Sequence, residues 1–472
     1  MYINGEWLKT EKVFEVNNPA TGEIVDTVYF VGEEETNDAI QAAKNAFPQW
    51  SALTAEHRGS YLSKIAVKLG EKKEEIAQII TKEMGKTIQH ARQEVGSTIA
   101  FFQWYAEEAR RVYGDVIPPS IPNKRIQAIR QPIGVVAAIT PWNFPLSMAA
   151  RKLGPALATG CTVILRPSRE APLSSVALFR IIDEVGLPKG VANLVIGQSG
   201  PIVNTIMNSS VVKKVSFTGS TEVGKILIEQ SAKTVKRVSM ELGGHAPFIV
   251  FDDADLDLAV DGLLVSKFGS NGQQCICPNR IYVQENVYEE FAEKLKEKVQ
   301  KIKVGNGLDE QNGMGSLIYE EAIDKVQEQV DDAILLGATL LNGGKRLTGD
   351  DYANGYFYPP TILSNVTDDM LITKEETFGP VIPLIKFQSE EEVIERANDI
   401  EYGLASYFYT KDLSRNYRVS EQLEYGMVGV NDAIPFAVQV PFGGVKESGM
   451  GREGGKYGMD DYLTIKMISV QI

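Results

Sequence analysis

Cysteine and histidine are scarce in this chain, with three of each in 472 residues. Cys161, Cys275 and Cys277 are too few to frame a secreted, disulfide-bonded protein of this length. His57, His90 and His245 form no cluster with cysteines or carboxylates at metal-ligand spacing, so no metal is expected. Basic runs are missing as well, and a net charge of -14 repels the phosphates of nucleic acid and anionic lipid headgroups. Neither nucleic acid nor membrane is an expected partner. No apolar stretch approaches the ~20 residues that span a bilayer. The start, Met1-Tyr2-Ile3-Asn4-Gly5-Glu6-Trp7, carries neither the basic segment nor the apolar core of a secretion signal, so a cytoplasmic location is expected.

What remains is the composition of a soluble globular protein, 43% hydrophobic and 23% charged, long enough for two or three domains. Segments from Glu34 to Phe47 and from Ala55 to Met84 set apolar residues at helical spacing among charges. From Gly134 onward, short apolar strands alternate with helices. The strands are expected at Val135–Thr140, Cys161–Arg166, Ala192–Ile196, Val211–Phe217 and Arg237–Leu242, with helices after Pro145, around Ser174–Val185 and from Glu222 to Ser231. That alternation predicts an α/β fold with a doubly wound parallel sheet. A second series, with helices near Tyr288–Ile302 and Glu320–Leu336 and strands Gly379–Phe387 and Met427–Val430, predicts a second α/β domain.

Between the helical start and the first sheet strand, Val116–Gln131 carries Pro118, Pro119 and Pro122 and then alternating residues, a pattern suited to an arm and not to a core. The final segment, Leu463–Ile472, is its candidate partner. Residues 1–115 and 133–241 are therefore read as a Rossmann-like nucleotide-binding domain and residues 242–432 as a catalytic domain. Residues 116–132 and 433–472 are read as a small β oligomerisation arm with the C-terminal segment. Unpaired edges along Ile121–Ile129 would seek a neighbour's sheet, which predicts a homodimer or homotetramer.

Four segments have the residue types of a reactive site. Phe268-Gly269-Ser270-Asn271-Gly272-Gln273-Gln274-Cys275-Ile276-Cys277 sets a thiol after small and amide residues. Taken alone, a cysteine is most often a small buried residue, the reading given to Cys161. Glu241-Leu242-Gly243-Gly244 puts a carboxylate at a strand end followed by two glycines, where it can serve as a base. Thr140-Pro141-Trp142-Asn143-Phe144-Pro145 sets an amide just beyond the first sheet strand, where α/β sheets bind ligands. Asn143 there can serve as an oxyanion donor, or simply as a helix cap. Phe217-Thr218-Gly219-Ser220-Thr221-Glu222-Val223-Gly224-Lys225 is a glycine loop between strand and helix, suited to a pyrophosphate. Ile226 stands where a nucleotide hydrolase needs Ser or Thr for magnesium, which favours a dinucleotide.

In this order and at these separations, the four segments resemble the aldehyde dehydrogenase superfamily over essentially the whole chain. The resemblance implies Cys275 as nucleophile, Glu241 as general base and Asn143 as oxyanion donor. It also implies oxidation of an aldehyde to its acid through a thiohemiacetal and a thioester on Cys275, with NAD or NADP as the hydride acceptor. Cofactor contacts are implied for Thr140, Pro141, Trp142, Gly219, Ser220, Gly224 and Leu242. Glu376 and Phe378, in Glu375-Glu376-Thr377-Phe378-Gly379-Pro380, are implied at the nicotinamide ribose. Pro441-Phe442-Gly443-Gly444-Val445-Lys446-Glu447-Ser448-Gly449 is a further match.

Ile164-Leu165-Arg166-Pro167-Ser168-Arg169 departs from the family's Lys-Pro-Ser-Glu at the adenosine ribose. Arg166 replaces the lysine, Ser168 is kept, and Arg169 replaces the glutamate that selects NAD, so NADP is expected to serve at least as well as NAD. Arg169 read as a solvated surface charge is the alternative.

The subfamily most resembled is that of the succinate-semialdehyde dehydrogenases, with Arg151 matching one of their carboxylate-binding arginines. Their second arginine is replaced by Gly269, six positions before the nucleophile, and the expected serine of the Ala433–Val438 loop gives way to Pro435, Phe436 and Ala437. The expected substrate is therefore succinate semialdehyde or a less polar aldehyde meeting Phe436. By the same resemblance, Cys277 could pair with Cys275 on oxidation and silence the enzyme; otherwise it is a small buried residue. A coenzyme A-acylating enzyme and a catalytically silent relative are the alternatives, both disfavoured by an intact Glu241.

Overall fold

The computed structural model describes residues 1–472. Two twisted sheets carry it. In the first, parallel strands β1 (Val135–Ile139), β2 (Thr162–Arg166), β3 (Ala192–Leu194), β4 (Val212–Thr218) and β5 (Arg237–Glu241) lie in the order β3-β2-β1-β4-β5. The first, second and third of these are fully buried, as their unbroken apolar runs require of strands covered on both faces. The order reverses between β1 and β4, so a crevice opens at their carboxyl ends, where a doubly wound sheet binds its ligand.

The second sheet has β6 (Ala246–Val250), β7 (Pro278–Gln284), β8 (Thr339–Asn342), β9 (Thr361–Ser364), β10 (Val381–Phe387), β11 (Ala405–Tyr409) and β12 (Met427–Val430) in the order β8-β9-β10-β7-β6-β11-β12. All of its pairs are parallel except the antiparallel edge pair β8–β9. Gly243 and Gly244 connect the two sheets between β5 and β6, putting Glu241 at the junction.

The long amphipathic segment Ala55–Met84 is two helices, Ala55–Glu71 and Lys73–Met84, broken at Lys72 (φ -106°, ψ 16°). The break lets both apolar stripes pack against Ile88–Glu108, a helix that the reading of the sequence did not single out. Its buried face is diluted by Glu94 and Thr98, which weakens the periodic signal.

The arm strand Lys124–Pro132 pairs antiparallel with Leu463–Gln471, from Leu463 opposite Pro132 to Gln471 opposite Lys124, and with Asp115–Ile117 on its other edge. Residues 433–472, grouped with the arm on sequence grounds, divide. Gly449–Met450 pairs with β5 at the edge of the first sheet, and Met459, Tyr462 and Leu463 lie in that domain's core. The glycine backbone at Gly449 makes the edge pairing possible: a Cβ there would meet the Met240 carbonyl at 2.0 Å, and its φ is +119°. No helix is long and apolar enough to cross a membrane.

Candidate active site

Cys275 follows a turn of unusual backbone. Ser270 (φ 49°) and Asn271 (φ 61°) are both left-handed, a conformation that costs a non-glycine residue free energy unless its surroundings fix it. Asn271 is so fixed. Its Nδ2 donates to the carbonyls of Gly85 (3.2 Å) and Ser316 (2.7 Å), and its Oδ1 accepts from Gly315 N–H at 2.8 Å. Beyond it, Gln273 Oε1 accepts from Ile318 N–H (3.1 Å), and the Tyr407 hydroxyl donates to the Ile276 carbonyl (2.8 Å). The loop is thus tied on both sides of the sulfur, which remains partly exposed.

Glu241 ends β5 and is buried, yet neither of its carboxylate oxygens has a hydrogen-bond partner. Burial first, and then the charge of Glu453, push its pKa up to about 7. Burial also raises the Cys275 thiol well above its ordinary value, and the negative charge of Glu241 raises it further. The resting site therefore holds a protonated thiol beside a carboxyl that titrates near neutrality.

Asn143 lies just past β1. Its Nδ2 donates to the Gln273 carbonyl (3.1 Å), its Oδ1 accepts from Phe144 N–H (3.0 Å), and its own carbonyl accepts from Lys86 Nζ (2.7 Å). One amide hydrogen is left for the cavity that Asn143 shares with Cys275.

Two cavities meet at Cys275. One, of about 400 Å³, is lined by Pro141, Trp142, Asn143, Gly219, Ser220, Glu241, Leu242, Glu376 and Phe378. Ser220 caps the helix Thr221–Ser231 through Val223 N–H (3.4 Å). Gly224 sits behind it, where a Cβ would strike the Leu242 side chain at 2.4 Å, so a glycine is needed for the helix to approach β5. Glu376 Oε1 accepts from Gly244 N–H (3.1 Å), and burial raises this carboxyl to about 7. Phe378 (φ 52°) meets Trp142 edge-on at 5.5 Å, and Trp142 meets Tyr319 edge-on at 5.8 Å.

Five of the expected cofactor residues do not line this cavity: Gly224, which lies behind Ser220, and Thr140, Arg166, Ser168 and Arg169. Thr140 N–H donates to the Arg166 carbonyl (3.1 Å) at the ends of β1 and β2. Arg166 is buried, donates to Ser199 Oγ and the Gly197 carbonyl, and is lowered to about 10 by burial and then by Arg169. Ser168 Oγ accepts from Glu170 N–H at 3.4 Å. Arg169 pairs with Glu170 at 2.7 Å, and its side chain is 53% exposed.

The second cavity, of about 290 Å³, has apolar walls that include Phe144, Met148, Ile276, Phe436 and Phe442, with Arg151 among its polar groups. Arg151 is buried between Phe442 (4.3 Å) and Phe101 (5.2 Å). Its nearest carboxylate oxygen, on Glu453, is 3.9 Å away, and its Nε and one terminal nitrogen have no hydrogen-bond partner. Glu453 is held more closely by Lys152, whose Nζ donates to it at 2.5 Å and to Thr218 Oγ1 at 2.7 Å. This cluster of two cations and one carboxylate leaves a buried positive charge facing the cavity.

Cys277 lines neither cavity. It is buried, and its thiol donates to the Lys267 carbonyl at 3.7 Å on the side away from the crevice. No motif marked Lys86, Glu94, Lys152 or Tyr407 as a site residue, and for Lys152 the signal available was charge in an apolar setting. Lys152 follows Arg151 in Ser147–Thr159, a helix whose every residue is buried, and a charge there must be matched by a partner or a ligand.

A dinucleotide-type crevice sharing a partly exposed cysteine with a second, apolar cavity defines an NAD(P)-dependent oxidoreductase acting on aldehydes. The chain belongs to the aldehyde dehydrogenase family, whose model matches residues 7–468. It is 50% identical over 473 residues to the glutarate-semialdehyde dehydrogenase of Pseudomonas putida, covering 100% of this chain and 97% of that protein. The NADP-linked succinate-semialdehyde dehydrogenase of Escherichia coli is 49% identical, over 99% of this chain and 97% of its own. A crystal structure of an NADP-dependent enzyme of E. coli superposes with a TM-score of 0.98 at 49% identity, covering 100% of this chain and 98% of that one. The fold expectation and the expectation of NAD(P)-dependent oxidation of an aldehyde to an acid both hold.

Proposed function

We propose that this enzyme oxidises a semialdehyde, an aldehyde with a carboxylate at its far end and the length of succinate or glutarate semialdehyde, to the dicarboxylic acid. The observation that carries this reading is the buried Arg151 guanidinium in the substrate-side cavity, with two nitrogens lacking partners. An unpaired buried cation is costly, and a carboxylate ligand supplies the missing hydrogen bonds. The two semialdehyde dehydrogenases above agree with it in substrate type.

In this reading Cys275 sulfur adds to the aldehyde carbon as Glu241 takes the thiol proton. The Asn143 amide and the Cys275 N–H hold the resulting oxyanion. The dinucleotide, when bound, supplies the two-electron oxidation. Trp142, Gly219, Ser220, Leu242, Glu376 and Phe378 are the residues to hold it, and their cavity, open at the carboxyl ends of the first sheet and floored by glycines, fits such a group. Glu241 passes the thiol proton to solvent and then draws one from water, which attacks the thioester; the acid is released, and the Cys275 sulfur, expelled as thiolate, takes that proton back from Glu241. A base beside the sulfur favours water over coenzyme A as acyl acceptor. Arg166 and Arg169, at the end of β2, support the use of NADP at least as well as NAD.

A second reading, a less polar aldehyde, is favoured by Phe436 and by the absence of a side chain at Gly269. Initial rates with NAD and NADP separately, on succinate and glutarate semialdehydes and on uncharged aldehydes of equal length, test both. Higher kcat/KM on the uncharged series overturns the carboxylate reading.

The arm adds a homo-oligomer to the proposal, a dimer or tetramer. Ile465, Met467 and Val470 are exposed along Leu463–Gln471, with Val116 80% exposed on the other arm edge. Light scattering gives the mass directly.

A further inference from the structure

We infer that the loop Met84-Gly85-Lys86 is a clasp that sets the Asn143 amide against Cys275, with Lys86 as its positioning residue; this rests on the reading of Asn143 as oxyanion donor. Lys86 is buried, and its Nζ donates to the Asn143 carbonyl at 2.7 Å and to Glu94 Oε2 at 2.7 Å. It also lies 3.8 Å from the centre of the Phe144 ring. Glu94 uses its other oxygen to accept the N–H groups of Leu146 (2.9 Å) and Ser147 (3.1 Å), at the start of the helix Ser147–Thr159. One buried ion pair thus grips both ends of the Asn143–Leu146 segment, the carboxylate stabilised by the positive end of the helix.

The same loop holds the nucleophile. The Gly85 carbonyl accepts from Asn271 Nδ2 at 3.2 Å, just upstream of Cys275. Gly85 is left-handed (φ +87°), and a Cβ there would lie 2.4 Å from Ser316 Oγ and 2.8 Å from its carbonyl oxygen. A Cβ on Gly315 would fall 1.9 Å from the Gly85 carbonyl oxygen. The backbones of the two domains therefore touch at this point, and neither glycine admits a side chain. A third link closes the triangle, Asn143 Nδ2 donating to the Gln273 carbonyl at 3.1 Å.

Asn143 and Cys275 belong to different domains, and each sits on irregular backbone. Beyond the clasp, the Asn143 segment meets the second domain through the Asn143–Gln273 hydrogen bond and the edge-on contacts of Trp142 with Phe378 and Tyr319. An ion pair buried this deeply gives little net stability compared with a well-packed apolar pair. What it gives here is direction. Each hydrogen of the ammonium has a receptor, and two of those receptors fix the segment that bears the amide.

The test is a double-mutant cycle on the full-length enzyme, with Lys86→Met, Asn143→Ala and the pair, followed by kcat, aldehyde KM, thermal unfolding and the rate at which iodoacetamide alkylates Cys275. Lys86→Met is expected to lower kcat by about tenfold to a hundredfold, the scale of an ångström-sized misplacement, with KM and alkylation little changed. In the Asn143→Ala background the same substitution should cost less than about twofold more, because the two act through one interaction. Full multiplication of the two losses, or an unchanged kcat in Lys86→Met, overturns the clasp. An Asn143→Ala enzyme with undiminished kcat instead overturns the oxyanion role beneath it. If Lys86→Met does not fold, Lys86→Arg, which keeps the charge but not the compact ammonium, enters the same cycle with the same expected non-additivity.

Discussion

The two cavities that meet at Cys275 are built differently. The cofactor side is made largely of short contiguous segments at strand ends, such as Pro141-Trp142-Asn143, Thr218-Gly219-Ser220 and Glu241-Leu242-Gly243, closed on one side by Glu321, Ala322 and Lys325 of the helix Glu320–Leu335. The substrate side draws single residues from helix faces and a loop, among them Gln93, Met148, Arg151, Val265 and Phe436. Strand ends of a parallel sheet are fixed by buried ladders, so loops leaving them can hold reacting groups to within fractions of an ångström. Helix faces supply volume and, besides the clasp carboxylate Glu94, the Arg151 charge, and the apolar walls and Arg151 can change without moving the strand-end segments. Reaction and selectivity are therefore separable here.

The sharpest way to break that separation is at the shared residue. Cys275→Ala is expected to lower turnover by at least about a thousandfold on every aldehyde, while dinucleotide binding measured by fluorescence quenching persists. Loss restricted to some aldehydes would mean that the two sides are not divided at this sulfur.

Glu241→Gln comes next, with kcat reduced by about a hundredfold to ten thousandfold and acylated enzyme accumulating in a burst detectable by mass spectrometry. Since Glu241 acts as carboxylate and titrates at about 7, wild-type kcat should fall with decreasing pH below that value, and this limb should vanish in the variant. Stability moves the other way. A carboxyl whose folded pKa is raised from 4.5 to about 7 contributes stability below pH ~4.5 and loses it as pH rises through 7. At pH 8 the wild type therefore bears a cost of up to about 3 kcal/mol, and Glu241→Gln should raise Tm while it abolishes efficient turnover.

The same contrast decides what could be read from the amino-acid order. The strands of the first sheet lie within a residue or two of the apolar runs that announce them, most cleanly β1, where burial on both faces leaves no polar interruption, and less so β4, which carries Lys213, Lys214 and Ser216. Cys275, Glu241 and Asn143 line one crevice, and each was legible from its own short segment: small and amide residues before Cys275, two glycines after Glu241, and a place just past a sheet strand for Asn143. Lys152 and Glu453 meet across 301 positions, and neither has neighbours that betray the contact. Lys86 and Glu94 share the difficulty: a charge in a connecting loop or inside a helical pattern reads as solvent-exposed until its partner is seen. The helix break at Lys72 had only Gly70, two residues earlier and inside the first helix, to mark it, and packing on a third helix imposes it.

On the substrate side, Arg151→Leu should reduce kcat/KM for succinate or glutarate semialdehyde by about thirtyfold to a thousandfold, the loss of one buried charge-assisted contact. An uncharged aldehyde of equal length should change by less than about threefold, since apolar wall contacts are kept. Equal losses on both would make Arg151 part of the reaction machinery and erase the distinction between the cavities.

The smallest expected effect lies at the far end of the cofactor side, where Arg169 is exposed and already paired with Glu170. An exposed pair of this kind is worth about 1 kcal/mol or less, so the guanidinium can leave it for a phosphate at little cost. A charge-assisted contact to a ribose 2′-phosphate contributes about 1.5–3 kcal/mol. Arg169→Glu should therefore weaken NADP by about tenfold in kcat/KM through both lost attraction and added repulsion, with NAD changed little, as initial rates with each dinucleotide would register. An unaltered NADP:NAD ratio would leave Arg169 with Glu170 and shift recognition of the phosphate toward Arg166. Because that guanidinium is buried against Ser199 and the Gly197 carbonyl, it can turn to a ligand only by giving up contacts it already makes, and the preference for NADP would then be correspondingly weaker.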